Sequence, residues 1–223
     1  MRISVLALAL SLVAADLPAC EVALVLAMDV SRSVDAAEFD LIRHGTAHAF
    51  RHPDIVRLIG RLDGGVLVTV TQWSGAGQQR QMIPWTRLKT PAELTGFAGR
   101  IDSMRRSFRY QLTAPGEALA HAESLGRSAP INCRRRVIDL AGDGVRNTGA
   151  ATAEIANRVA ARGVTINGLV VRGDSPDPLE FYRQEVKRGP LAFIEIAHGY
   201  ADYREAMFRK LLRELNPSLS RLR

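Results

Sequence analysis

Cysteine, aromatic residues and lysine are scarce in this chain of 223 residues. It has two cysteines, 6% aromatic residues, and lysine only at positions 89, 187 and 210. So few cysteines exclude a miniprotein held by many disulfides. Beyond the N-terminal segment there is no apolar run of about 18 residues, which excludes a multi-span membrane protein. A globular chain of this size buries roughly 70% of its unfolded surface and needs no structural metal or crosslink to fold.

Arginine therefore supplies almost all of the positive charge, and it gives a net charge of +7 and a pI of about 10.1. Such a balance suits either a nucleic-acid partner or an acidic surface. The arginines are scattered, however, and the tightest group, Arg134 to Arg136, precedes an apolar stretch and has no interleaved aromatic residues. The pattern favours compositional bias over nucleic-acid binding.

The first residues have the pattern of a signal peptide. Arg2 provides a positive end, residues 3–13 form an apolar core, and residues 13–15 (VAA) form a small-residue cleavage pattern. We predict a signal peptide over residues 1–15, with cleavage no later than residue 19, and export to the periplasm or beyond. Residues 17–20 (LPAC) weakly resemble a lipoprotein signal, but proline fits poorly there and a lipid on Cys20 would leave no linker before the first strand.

Apolar strand-like runs alternate with helical patterns in the rest of the chain. Residues 21–28 form a continuous apolar run, as in a strand buried on both faces, and Pro84 restricts residues 79–85 to an edge strand. The other predicted strands are 65–73, 137–141, 164–171 and 192–196, and the predicted helices are 35–50, 91–104, 115–125, 151–162, 179–188 and 203–215. This alternation predicts an α/β domain over residues 20–216, with helices on both faces of a mostly parallel sheet, and a C-terminal tail over 217–223.

Oxygen-bearing side chains occur at the ends of these elements, where ligands bind in parallel α/β sheets. The first strand runs into a DxSxS motif, Asp29, Ser31 and Ser33; Asp143 follows the strand at 137–141, and Thr113 precedes the helix at 115–125. Singly, each has a plain explanation as a helix cap or a turn. Together they offer hard oxygen donors, which suit Mg²⁺, Mn²⁺ or Ca²⁺ rather than zinc or copper.

This combination resembles the von Willebrand factor type A (VWA) domain and its metal-ion-dependent adhesion site (MIDAS), over roughly residues 21 to 215. The resemblance implies a three-layer Rossmann-like fold with strand order 3-2-1-4-5-6, in which strand 3 is an antiparallel edge strand. It also implies that the serines, and often the threonine, bind a metal directly. The aspartates of such sites often act through water, and a partner carboxylate completes the coordination. The implied ligands are Asp29, Ser31, Ser33, Thr113 and Asp143.

The chain is more closely similar to a bacterial group of such domains, domain of unknown function 1194 (DUF1194). The similarity lies in residues 24–31 (LVLAMDVS), 135–139 (RRVID) with 142–144 (GDG), and 165–169 (TINGL). Two positions depart from the group. Ala141 stands where serine is usual, and Arg32 replaces a small residue and places a cation beside the metal rim, where it is a candidate ligand contact.

We also predict a disulfide between Cys20 and Cys133, the two cysteines of the chain. Export places them in an oxidising compartment. They lie nine and ten residues before Asp29 and Asp143, at the start of strands that are neighbours in the resembling fold. We therefore expect them to meet at the pole opposite the metal.

Other polar residues are interpreted as structural. Asp139 lies within an apolar strand, and a buried carboxylate needs a partner, so we predict a structural hydrogen-bond acceptor. His44, His48 and His52 recur every four residues on one helix face, but no carboxylate or cysteine joins them.

These features favour two hypotheses of function. The first is an exported, non-enzymatic domain that binds a protein or another acidic ligand through Mg²⁺, or through Mn²⁺ or Ca²⁺. The second is a hydrolase that uses the metal with Asp29 or Asp143 on a phosphate or an ester. The sequence lacks a GxSxG elbow and a candidate general base beside the motif, which favours the first function. It predicts neither a nucleic-acid partner nor a transmembrane span, and it does not indicate an oligomeric state.

Overall fold

The central sheet has β1 (Cys20–Asp29) and β4 (Cys133–Gly142) in its middle. The structure is a computed structural model that describes residues 19–108 and 112–216, so the predicted signal peptide and the tail at 217–223 lie outside the described residues. The other strands are β2 (Val66–Trp73), β3 (Gln79–Leu88), β5 (Val164–Val171) and β6 (Ile194–Ala197). Their order is β3-β2-β1-β4-β5-β6, and only the edge strand β3 is antiparallel to its neighbour. The predicted α/β fold and its strand order are confirmed.

Helices cover both faces of this sheet. They are α1 (Ala36–Arg51), α2 (Pro53–Arg61), α3 (Pro91–Asp102), α4 (Pro115–Arg127), α5 (Thr152–Ala160), α6 (Leu179–Phe181, continued by the π-helical turn Tyr182–Val186) and α7 (Tyr203–Leu215). Alternate side chains of a strand point to opposite faces. Accordingly, Leu24 and Leu26 of β1 belong to one apolar core, while Val25 and Ala27 belong to the other. A strand between two cores must be apolar throughout, which explains the continuous run in β1.

The structure also differs from the sequence-based bounds in a few places. Pro53 begins the separate helix α2, which was not predicted; His52 before it is extended (φ −62°, ψ 131°), as residues preceding proline prefer. Strand β3 continues past the exposed Pro84 to Leu88, with an irregular register in its middle. In the described part of the chain, no helix is both long and apolar enough to cross a membrane.

The predicted disulfide joins the first residues of β1 and β4. Cys20 and Cys133 are paired directly in the parallel register of these strands, and their Cα atoms are 4.5 Å apart. The bond therefore lies at the amino ends of the two strands, whose carboxyl ends carry Asp29 and Asp143. The predicted pairing of the two cysteines is confirmed.

Asp139 of β4 has a buried cationic partner on α7. The Nζ atom of Lys210 lies 2.8 Å from Asp139 Oδ1 and also contacts the carboxylate of Glu214. All three residues are at most 2% exposed. Asn167 of β5 donates a hydrogen bond of 3.0 Å to Glu214. This buried cluster attaches α7 to the sheet, which gives Asp139 the structural role that the sequence suggested.

Candidate metal centre

The parallel pairing of β1 and β4 brings the two candidate aspartates to one edge of the sheet. Asp29 is the last residue of β1, and Asp143 directly follows the last residue of β4. Met28, just before Asp29, is paired in the parallel register with Ala141, two residues before Asp143. Because parallel strands end on the same side, two carboxylates that are more than a hundred residues apart in the chain become neighbours.

A chain of hydrogen bonds connects the DxSxS motif to Asp143. The backbone N–H of Ser31 donates to Asp29 Oδ1 (2.7 Å), and the hydroxyl oxygens of Ser31 and Ser33 are 3.3 Å apart. The Ser33 hydroxyl donates to Asp143 Oδ1 (2.8 Å), and the hydroxyl of Tyr200 donates to Asp143 Oδ2 (2.7 Å). Four of the five predicted ligands are thus joined in one continuous network.

Thr113, the fifth predicted ligand, lies beside Asp143. Its backbone N–H donates to Asn147 Oδ1 (2.7 Å), and its carbonyl oxygen accepts from the N–H of Asn147 (3.1 Å). A Cβ atom built on Gly144, the residue after Asp143, would lie 3.8 Å from Thr113 Oγ1. The side chain of Thr113 is 5% exposed. The structure therefore brings all three predicted segments together.

Arg106 supports the loop that carries the motif. Its guanidinium donates from Nη2 to the carbonyl oxygens of Val30 (3.0 Å) and Ser31 (2.7 Å). These bonds hold the backbone on which Ser31 and Ser33 are mounted. Within that loop Arg32 and Ser33 are exposed, whereas Asp29 and Ser31 are buried, so solvent reaches the site at Arg32 and Ser33.

The two carboxylates are in an unfavourable environment for their charged forms. Burial, together with the neighbouring charge of Asp143, raises the pKa of Asp29 well above its usual value, although hydrogen bonds from Ser31 and the charge of Arg106 act against this. Burial also raises the pKa of Asp143, despite hydrogen bonds from Tyr200 and Ser33. Two like charges in a desolvated site favour a bound cation, which would stabilise both ionised forms.

One carboxylate oxygen has no hydrogen bond at all in the described structure. Asp29 Oδ2 is fully buried and lacks a partner among the described residues. Buried polar atoms are normally hydrogen-bonded, so an orphaned carboxylate oxygen points to a ligand. The donor set, two carboxylates and three hydroxyls, has the hard oxygen chemistry that Mg²⁺, Mn²⁺ and Ca²⁺ prefer. By both tests, the residues fit a divalent cation.

Two tyrosines beside the site do not belong to any of the sequence motifs described above. Tyr200 lies just before α7, and Tyr182 lies in the π-helical turn, with a buried hydroxyl that has no hydrogen-bond partner among the described residues. A Cβ atom on Gly142 would lie 2.5 Å from the Tyr182 hydroxyl and 2.8 Å from Asp29 Oδ2. Both atoms therefore occupy the space that a side chain at position 142 would need. Glycine in the GDG segment was the only sequence signal of this crowding.

Within residues 19–108 and 112–216, no group of three or more His, Cys, Asp or Glu side chains could hold a metal ion, so the candidate centre depends on its hydroxyl donors as well as on its two carboxylates. His44, His48 and His52 do not form such a group. The ring of His52 packs against Phe208, with centroids 3.9 Å apart, and its Nδ1 atom accepts from the N–H of Asp54.

Solved structures of VWA-like domains share this fold at low sequence identity. Proximal thread matrix protein 1 from the mussel byssus, solved with a zinc-occupied MIDAS motif, is 15% identical with a TM-score of 0.63, and the match covers 89% of this chain and 47% of that one. A von Willebrand factor type A protein from Catenulispora acidiphila is 17% identical (TM-score 0.59; 87% and 43%). The corresponding domain of the type V pili tip protein Mfa5 from Porphyromonas gingivalis is 11% identical (TM-score 0.60; 87% and 95%). The chain spans less than half the length of the first two proteins, and these likenesses establish the fold.

Family membership rests on the sequence itself. No curated protein matches the chain. A family model described as Protein of unknown function (DUF1194) matches residues 19–219, a stretch that includes the five candidate ligands and both cysteines. The chain has a VWA-like fold and belongs to the DUF1194 family.

Proposed function

We propose that this protein is an exported, non-enzymatic binding domain that captures a carboxylate of a partner through a divalent metal ion. The ion is held by Asp29, Ser31, Ser33, Thr113 and Asp143. The observation that carries the proposal is the orphaned oxygen of Asp29 in a buried network with a second carboxylate. When bound, the cation supplies a Lewis-acidic position that accepts an oxygen of the partner.

The protein residues determine how strongly that position attracts an anion. Three of the five donors are neutral hydroxyls, so few negative charges compete with the partner for the cation. The exposed Ser33 and Arg32 leave the site open to a macromolecular ligand, and Arg32 adds a charge-assisted contact to an acidic group. An open position and a cationic rim together favour an acidic protein or another acidic ligand.

The arrangement offers nothing that favours the hydrolase alternative. In the described part of the chain, the hydrogen-bond partners of the five ligand residues are backbone groups, the side chains of Arg106, Asn147 and Tyr200, and the ligands themselves. None of these is a histidine positioned as a general base. A capturing role therefore fits the geometry better than turnover.

Export is supported by the disulfide. A bond between Cys20 and Cys133 persists in an oxidising compartment, such as the periplasm or the exterior. Similar folds occur in a pilus adhesin, SpaC from Lactobacillus rhamnosus GG, and in the byssus protein, which agrees with a role outside the cytoplasm.

Calorimetry on the mature chain tests the metal site. We expect the wild type to bind one Mg²⁺, Mn²⁺ or Ca²⁺ ion per chain, and Asp29→Ala and Thr113→Ala to lose this binding. Thr165→Ala is the matched control, because Thr165 is the second residue of β5, at the sheet edge opposite the metal centre, and its hydroxyl donates to the carbonyl oxygen of Pro190. Equal uptake by wild type and Asp29→Ala would refute the assignment.

Partner capture is tested with a defined probe and with extract. An acetylated and amidated hexapeptide with one aspartate among glycines should bind the metal-loaded protein weakly, and EDTA or Thr113→Ala should abolish this binding. A pulldown from periplasmic extract with and without chelator then identifies candidate partners. Binding that is equally strong in excess EDTA would show that recognition uses another surface.

A further inference from the structure

A cleft of about 680 Å³ opens beside the candidate metal centre. It lies between the first turns of α1 and the segment that follows α3, and Arg32 of the DxSxS loop forms part of its wall. Ligand sites in proteins typically have volumes of about 300–1,000 Å³, so this cleft has room for several side-chain groups. Its position makes it continuous with the surface at which a metal-bound partner would lie.

The cleft has an apolar floor. Val34, Phe39 and Met104 line it and are 0%, 6% and 7% exposed. Such a floor accepts the aliphatic part of a side chain, which gains free energy when it leaves water. A ligand made only of charged groups, such as a sulfated glycan, would leave this surface unused.

The acidic residues of the cleft are already engaged within the chain. Asp35 caps α1 by accepting from the N–H of Glu38 (2.8 Å), Asp40 pairs with Arg43 (2.9 Å), and Asp102 pairs with Arg51 (2.6 Å). Arginines therefore compensate the charges of Asp40 and Asp102, and the Asp35 carboxylate is occupied by the helix cap. These acidic residues contribute little attraction for a cationic ligand.

Two of the arginines of the cleft remain available. Arg32 and Arg105 are both exposed, and the side chain of neither makes an ion pair or a hydrogen bond within residues 19–108 and 112–216. Arg106, next to Arg105, is committed to the carbonyl oxygens of Val30 and Ser31. The charge that is left for a ligand is therefore positive. Arg32 lies on the loop that carries Ser31 and Ser33, and Arg105 adjoins Arg106, which is hydrogen-bonded to that loop.

We propose that the cleft binds a second carboxylate of the same partner, and that the partner is an extended acidic protein segment. One acidic side chain of the segment coordinates the metal. A second one, a few residues away, pairs with Arg32 and Arg105, while its aliphatic stem packs on Phe39 and Met104. This inference rests on the proposed function of the metal centre, which it extends from one contact point to two.

Short peptides of defined sequence test the inference. The probes are the hexapeptide with one aspartate and four longer peptides in which a glutamate follows that aspartate after one to four glycines. Affinities are measured by calorimetry at saturating Mg²⁺. We expect at least one two-acid peptide to bind about tenfold more tightly than the single-acid peptide, since charge-assisted bonds to guanidinium are strong and directional.

Two variants test whether the increase in affinity of the two-acid peptides arises in the cleft. Arg105→Gln removes one cationic partner, and Ala36→Phe fills the cleft from the exposed start of α1. We expect both to lose most of the tenfold gain and to retain the wild-type metal uptake and single-acid affinity. Arg158→Gln, an exposed arginine on α5 in the other helical layer, is the matched control and should behave as the wild type does.

The outcomes separate this inference from the proposed function. Failure of the wild type to take up metal, or binding of the single-acid peptide that does not depend on metal, would refute the metal-dependent site. The cleft is judged by the gain alone. A gain below twofold, or one that persists in both Arg105→Gln and Ala36→Phe, would overturn the two-point model. A heparin fragment that binds more tightly than every two-acid peptide, with the same dependence on Arg105, would also overturn it by identifying a glycan as the occupant.

Discussion

Replacing Lys210 by methionine should destabilise the protein more than any surface substitution. Lys210 is 0% exposed, and its Nζ atom lies between the carboxylates of Asp139 and Glu214. Burial lowers the pKa of Lys210, but the two carboxylates more than compensate, so the net pKa is raised and the ammonium stays charged. Methionine matches the lysine stem in length and provides no charge. The variant therefore buries two carboxylates without a cation.

The magnitude follows from the cost of an uncompensated buried charge. Breaking a buried ion pair by removing one partner typically costs about 3–5 kcal/mol. For a chain of 150–250 residues each kcal/mol lowers Tm by about 2–4 °C. We therefore expect a decrease in Tm of roughly 6–20 °C at pH 7.

The loss should be smaller in acid. Burial raises the pKa of Asp139 from its usual 3.8 to about 7; the charge of Lys210 lowers it and that of Glu214 raises it. A raised pKa means that the folded protein holds a proton that the unfolded chain loses. The contribution of this carboxyl to stability is therefore complete below about pH 4 and declines as the pH rises towards 7. Without Lys210, protonation of Asp139 at pH 5 removes one of the two buried negative charges.

Urea unfolding followed by circular dichroism at pH 5 and pH 7 measures these effects. Lys187→Met is the matched control, because Lys187 is only half-buried, and it should cost less than about 0.5 kcal/mol. The triple variant Asp139→Asn, Lys210→Met and Glu214→Gln should recover most of the loss. A Lys210→Met cost below about 1 kcal/mol at pH 7, or an equal cost at both pH values, would refute this reasoning.

Three further predictions concern the disulfide and the metal centre. Replacing Cys20 and Cys133 by serine removes the crosslink between two residues that are 113 positions apart in the chain. Urea unfolding should show that the free energy of unfolding falls by about 2–5 kcal/mol. Gly142→Ala forces its methyl group against the Tyr182 hydroxyl and Asp29 Oδ2; calorimetry should show at least tenfold weaker metal binding, and unchanged affinity would contradict the crowding. Asp29→Asn replaces a carboxyl group whose charged form is disfavoured by burial and by Asp143, which together raise its pKa. Calorimetric scans should therefore show a higher Tm without metal, and no increase in Tm when Mg²⁺ is added.

The sequence by itself determined where the strands lie and which residues are the candidate metal ligands. The apolar run of β1 requires cover on both faces, and the hydrophilic residues that follow it must then lie at the sheet edge. Asp29, Ser31, Ser33, Thr113 and Asp143 could be identified because each adjoins the end of a predicted strand or the start of a predicted helix. Parallel strands share the side on which they end, so local pattern was enough to bring these residues together.

Only the tertiary structure decided which side chains support these residues. Tyr200, Tyr182 and Arg106 belong to segments without a motif, and their contacts with Asp143, Gly142 and the Ser31 backbone depend on how distant elements pack. The same holds for Lys210: the sequence predicted that Asp139 needs a partner, but the placement of α7 on the sheet selected it. The periodicity of a sequence fixes which face of an element is buried. It does not fix how far a polar side chain lies from another element, or how it is oriented towards that element, because both follow from the packing of the whole core.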